Sequence, residues 1–125
     1  MNIDELPAGR ELDALVAERV MGWHITDAIK KPGQDDYGVA PGQVGVLWVV
    51  RVPDYSTDIA AAWQVVERLI KLDAFVSLDY DFQNVDSEKW SVTFITRKAI
   101  DCESGETAPL AICRAALKAV GVTEA

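Results

Sequence analysis

The residues whose types suggest chemistry fall in a few short stretches. Arg10, Asp13 and Arg114 sit on amphipathic segments. A guanidinium is a planar fork that matches phosphate or carboxylate, so Arg10 or Arg114 suits an anion pocket. The same residues also suit a salt-bridge and capping network between the first and last helices. Tyr55, Ser56 and Thr57 lead into a second helix, and Thr107 leads into the last one. Hydroxyls there cap free N–H groups, and the same helix starts attract phosphate through their N–H groups and dipole. Asp58 and Glu106 compete with an incoming anion at those places. Trp23, between a helix stop and a loop, is placed to pack, to stack on a base or to close a subunit interface. Tyr37 stands in the middle of that loop. Lys30 and Arg51, with Arg10, are the cations nearest in sequence for offsetting a ligand's charge.

Other chemistries lack their residues. The two cysteines, Cys102 and Cys113, and the one histidine, His24, form no Cys-x-x-Cys or His-x-x-x-His pair, so no zinc ligand set exists. A Cys–His nucleophile pair would need long-range folding. Asp79, Asp81, Asn84, Asp86 and Glu88 are rich in oxygen, but the glycine and the final glutamate of a calcium loop are missing. The serines lack a nucleophile-elbow setting, and no Gly-x-x-x-x-Gly-Lys loop occurs. The expectation is a protein without metal, cofactor or catalytic residues. Twenty acids against twelve bases leave a net charge of −8, which disfavours an extended nucleic-acid footprint. No run of ~18 apolar residues suggests a membrane span, and no signal peptide is evident at the start. A cytoplasmic setting with free thiols is expected.

The 125 residues fit one domain, 1–125. Leu12, Leu15, Val16 and Val20 predict a helix over 10–21, with Gly22 as its left-handed stop. Residues 23–45 carry Lys-Pro-Gly, Asp-Asp-Tyr-Gly and Ala-Pro-Gly turn chemistry and read as one long loop. The apolar run 46–52 reads as a strand covered on both faces. A helix over 57–71 follows, capped by Ser56 or Thr57, with Ile59, Trp63, Val66 and Ile70 as its inner stripe. Strands at 75–82 and 90–97 alternate and pair as a hairpin, placing Asp79 and Asp81 near Arg97 or Lys98. Residues 102–105 read as a polar loop. Thr107 then caps an alanine-rich helix over 108–120, with Pro109 in its first turn and Gly121 as its stop. The predicted class is α+β: a three-layer α/β/α sandwich, helices on both faces of a small, largely antiparallel sheet. The alanine-rich faces and four tryptophans exceed what one sheet face needs, so a homo-oligomer, most simply a dimer, is expected.

Three stretches carry a resemblance. They are Ala8-Gly9-Arg10-Glu11-Leu12-Asp13-Ala14-Leu15-Val16-Ala17-Glu18 with Val20-Met21-Gly22-Trp23; Tyr55-Ser56-Thr57-Asp58-Ile59-Ala60-Ala61-Ala62-Trp63; and Thr107-Ala108-Pro109-Leu110-Ala111-Ile112-Cys113-Arg114-Ala115-Ala116-Leu117. Together and in this order they resemble the phage ABA-sandwich domain, a family of small proteins encoded by phages and prophages. The resemblance implies a helix–sheet–helix sandwich and a viral origin, and implies no catalytic mechanism. Residues 24–54 depart from the family pattern. The functional expectation is a non-enzymatic phage accessory or anti-defence protein that acts by binding in the infected bacterial host. In its most concrete form it sequesters a small anionic ligand of the cyclic-nucleotide type, an immune signal. The alternatives are an acidic protein–protein inhibitor of a host factor, in the manner of a DNA mimic, and a small hydrolase.

Overall fold

The computed structural model describes residues 2–26, 36–42, 49–81 and 89–124. Among them the chain runs through a 3-10 turn (Ile3–Glu5), α1 (Arg10–Arg19), β1 (His24–Thr26), β2 (Tyr37–Val39), β3 (Val49–Arg51), α2 (Ile59–Lys71), β4 (Phe75–Tyr80), β5 (Trp90–Ile95), β6 (Ile100–Gly105) and α3 (Ala108–Ala119). The class is α+β, with three helices and two three-stranded antiparallel sheets, β1-β2-β3 and β4-β5-β6.

α3 sits at the centre because its side chains are small. Thr107 accepts a hydrogen bond from the Leu110 amide and Pro109 occupies the first turn, which is where proline costs no hydrogen bond. Ala108 through Leu117 is then buried without a break. β5 and β6 lie along one side of α3, while α2 and α1 lie against others. Val92 and Phe94, both fully buried, point from β5 toward it. The alanines expected to be in excess are therefore spent inside one subunit. A left-handed Gly121 (φ 89°) ends the helix, with Val122 N–H bonding Leu117 C=O and Gly121 N–H bonding Lys118 C=O.

α2 turns a different face inward from the one its sequence stripe predicts. The buried residues are Ala61, Ala62, Val65, Val66 and Leu69, whereas Ile59, Trp63 and Ile70 are each about half exposed. Close approach to α3 needs small side chains on both helices, so the Ala/Val face wins over the larger one. Asp58, not Ser56 or Thr57, is the cap, accepting from the Ala60 amide. The same kind of C-terminal motif ends α2 as ends α3, with Asp73 taking the left-handed position (φ 66°).

Three further expectations are corrected. The stretch 23–45 contains β1 and β2, which pair with each other, and β2 pairs with β3. The apolar run 46–52 contributes Val49–Arg51 as an edge strand with Val50 and Arg51 exposed; residues 46–48 lie outside the described set, as does residue 82 at the end of the next expected strand. The whole polar stretch 102–105 belongs to β6, which pairs with β5 from Ile95↔Ile100 to Trp90↔Gly105. Its inward side chains, Asp101 and Glu103, are polar, so hydrophobic alternation gave no signal. The β4–β5 pairing does occur, from Phe75↔Ile95 to Tyr80↔Trp90. That register puts Asp79 opposite Ser91, at the end of the pair remote from Arg97 and Lys98.

Terminal segments are tied together above α3. Ile3 N–H bonds Thr123 C=O at 3.0 Å, and Asn2 bridges Glu124. Lys118 Nζ bonds both Asp4 and Glu103. Asp4 is held below its ordinary range first by a hydrogen bond with Glu103, against desolvation, and then by Lys118 and Arg114. Burial, with the Asp4 contact second, pushes Glu103 up.

Gly105 sets how closely β6 can approach α3. A Cβ built there would lie 3.0 Å from the Ala111 backbone nitrogen and 3.2 Å from Leu110 Cγ. Gly105→Ala is expected to lower stability by ~1–3 kcal/mol through overpacking, read as a drop in the thermal or denaturant midpoint.

Candidate functional site

The sequence candidates converge at the start of α1. Asp13, on the inner face of α1, is buried. Its Oδ1 accepts the Ser56 amide N–H at 2.7 Å and the Ser56 hydroxyl at 2.6 Å. Ser56 Oγ in turn accepts the Gly9 amide at 2.9 Å. This clamp fixes the segment before α2 onto the first turn of α1. It also explains why Ser56 cannot cap α2: its amide and hydroxyl are committed elsewhere. Burial pushes the Asp13 carboxyl up, and the two Ser56 bonds partly oppose that shift.

Tyr55 lies beneath the clamp, 1% exposed. Burial pushes its phenol up to about 12, partly offset by a hydrogen bond from the Trp23 side chain. Trp23 itself packs partly buried against the core. Nearby Cys113 is fully buried, and burial pushes its thiol well above its ordinary value. A thiol in that state is a poor nucleophile, and Ser56 hydrogen-bonds a carboxylate inside the core. Among the described residues no group of three His, Cys, Asp or Glu is arranged to hold a metal.

Above the clamp is a cleft of about 130 Å³, lined by Arg10, Asp13, Asp36, Arg51, Asp54 and Thr57, among others. It is where the 23–45 stretch, through Asp36, meets the first turn of α1. Gly9, the N-cap of α1, supplies no side-chain acceptor there. Arg10 Nε lies 3.9 Å from Asp36, whose side chain is 5% exposed. Arg51 bonds Asp54 at 2.7 Å, with both side chains 44% exposed. Sequence reasoning did not single out Asp36 and Asp54, since nothing in a turn-rich segment marks which carboxylate will face an arginine.

The other candidates fall elsewhere. Tyr37 is half-buried on β2, register partner of Arg51. Thr107 caps α3. Arg114 is buried on α3 and donates to the Ser104 carbonyl at 3.1 Å and the Leu6 carbonyl at 3.3 Å, holding the N-terminal segment and β6 to the helix. Lys30 lies outside the described residues. Two larger hollows, about 670 and 270 Å³, surround the end of α2 and the β5–β6 turn, with Ile70, Phe75, Val76 and Ile95 lining the first and Leu69, Leu72 and Val120 the second. None of the sequence candidates reaches these two, but Arg10 also lines a third, open hollow of about 500 Å³ formed by residues 6–11.

Helix, sheet and clamp together define a small layered α+β domain built around a buried central helix. The chain belongs to the phage ABA sandwich domain family, whose pattern matches residues 14–117. It is also similar to a phage protein from Bacillus cereus ATCC 14579, known from a 2.0 Å crystal structure. That similarity has a TM-score of 0.70 at 28% identity and covers 93% of this chain and 90% of the other. The comparison with curated proteins found no match. Among the described residues no helix is long and apolar enough to cross a membrane.

The clamp makes a distinguishable pair of variants. Asp13→Ala leaves two buried Ser56 donors without their acceptor and is expected to cost ~2–4 kcal/mol. Asp13→Asn keeps an acceptor oxygen and should cost clearly less. The native carboxyl is raised, so the folded protein holds its proton to higher pH than the unfolded chain. Asp13 therefore favours folding most in acid, and that contribution is lost as pH rises through the carboxylate range. Denaturant titrations across that range should show wild type losing stability relative to Asp13→Asn as pH increases.

Proposed function

We propose that this phage-family protein acts by binding, not by turnover, and that the cleft beside α1 takes the anionic group of a small nucleotide-type molecule and sequesters it. The observation that carries this reading is the meeting of Arg10, Arg51 and Thr57 at one opening, beside a helix start without a side-chain cap. A volume of about 130 Å³ suits one phosphate-sized group. Pockets that enclose a whole drug-sized ligand run to about 300–1,000 Å³, so the remainder of the ligand lies beyond this cleft.

The two arginines have different roles under this reading. The Arg51–Asp54 pair is half exposed and worth at most ~1 kcal/mol. A charge-assisted hydrogen bond to a desolvated phosphate is worth ~1.5–3 kcal/mol, so exchanging Asp54 for the ligand is favourable. Arg10 faces a buried carboxylate, Asp36, and removing it leaves that charge with less compensation. Arg51 is thus the recruiting cation and Arg10 the one that also supports the fold.

A second reading rests on the same cleft's charge. Three carboxylates face two guanidiniums there, in a chain of net charge −8. That balance favours docking on a basic surface of a host protein.

Calorimetry with cyclic dinucleotides and cyclic ADP-ribose isomers separates the two readings. Arg51→Ala should weaken nucleotide binding roughly ten- to a hundredfold with the melting temperature unchanged. Arg10→Ala should lower both affinity and melting temperature. If these ligands give no heat, and native mass spectrometry of protein from infected cells finds no retained small molecule, sequestration is wrong. A host protein recovered in stable stoichiometric complex would then support the inhibitor reading.

A further inference from the structure

We propose that two copies of this chain join through β4, pairing antiparallel about a two-fold axis at Leu78 to form one continuous six-stranded sheet. The two edges of the β4-β5-β6 sheet are built differently. β6 carries Asp101 and Glu103 on the face toward α3, and Glu103 is engaged by Lys118. Inward-pointing charge is a standard way to stop an edge strand from pairing with another chain. β4 has no such device. Its inward residues are Val76, Leu78 and Tyr80, it contains no proline or lysine, and its single charge, Asp79, points to the other face. Among the described residues no strand pairs with its free side.

The apolar side chains at this edge are also incompletely covered. α3 lies over β5 and β6, and α2 also touches β4. Leu78 is left 38% exposed and Tyr80 51% exposed, although both point to the helical side of the sheet.

The sequence of β4 fits itself. With Leu78 opposite its symmetry mate, Val76 faces Tyr80 of the second copy, and Ser77 faces Asp79. Inward pairs are wholly apolar, and no like charges meet on the outward face. Ser77 and Asp79 already hydrogen-bond within one chain at 3.1 Å, so their chemistry suits the cross-copy pair. The 670 Å³ hollow beside Val76, with exposed Ile70 on its wall, adjoins the position of the second copy's Tyr80, whose ring packs on its own Trp90 at 4.8 Å. The arrangement is isologous: each copy supplies one ring and one hollow. The ligand cleft is built from other elements, so its occupancy and this pairing are independent.

Sedimentation velocity on the full chain at micromolar concentration tests the proposal. The wild type should sediment as a dimer. Leu78→Lys, which sets two cations together on the axis, should weaken association about a hundredfold or more while keeping the far-ultraviolet spectrum. A second measurement stands if that variant fails to fold. In a Cys102→Ser background, Leu78→Cys should cross-link two chains under mild oxidation, and Ile95→Cys, on the outer sheet face, should not. A monomer at high micromolar concentration overturns the proposal, as does a dimer that cross-links through residue 95 and not through residue 78.

Discussion

Everything in this domain depends on burying α3 on all sides. A helix can be surrounded only if its side chains let neighbours approach closely, and the alanine-rich run from Ala108 to Leu117 does so. One charge is carried into that position. Arg114 donates to the carbonyls of Ser104 and Leu6, so the cation that would be costly in an apolar core joins β6 and the N-terminal segment to the helix. Gly105, where the sheet passes closest, and Glu103, which meets Lys118, belong to the same contact. The two termini meet over the end of this helix, so the chain closes around it.

The Asp13–Ser56 clamp is the second organising interaction, and it decides what the cleft can do. By holding the segment before α2 against α1, it places Arg51, Asp54 and Thr57 opposite Arg10. It also removes Ser56 from the surface, leaving a hydroxyl that is structural and a helix cap supplied by Asp58. Tyr55 and Trp23 then fill the space below. The result is an opening with mixed charge, where the Arg51–Asp54 pair is half exposed and the Asp36 carboxylate is buried.

The outer side of the β4-β5-β6 sheet carries Phe75, Ile95 and Ile100 in one row across the strands, 75%, 41% and 70% exposed. With Trp63 and Ile70 on α2, they leave this region more apolar than the surface around the cleft. The protein thus separates a polar, mixed-charge opening at α1 from an apolar flank at β4 and α2. Trp63 and Ile70 are on that flank because α2 gave its small residues to α3.

Much of the fold was legible in the residues alone. Helix positions followed from apolar spacing, Gly22 and Gly121 marked two helix stops, Thr107 and Pro109 marked a start, and alternation in 75–82 and 90–97 gave the hairpin, whose strands are Phe75–Tyr80 and Trp90–Ile95. Three long motifs in order identified the family. These signals are local or nearly so, set by backbone geometry and by a single side chain's preference. What tertiary structure decided was partner choice. Sequence could not show that α2 would turn its alanines inward, because either face is apolar and only the need for close approach to α3 separates them. Nor could it show β6, whose inward Glu103 is engaged by a lysine on another element. The candidate site divides in the same way: Arg10, Arg51, Ser56 and Thr57 were chosen by type, but Asp13 holding Ser56, and Asp36 and Asp54 facing the arginines, are contacts between distant segments. A residue's type limits the bonds it can make; folding selects the group that completes them.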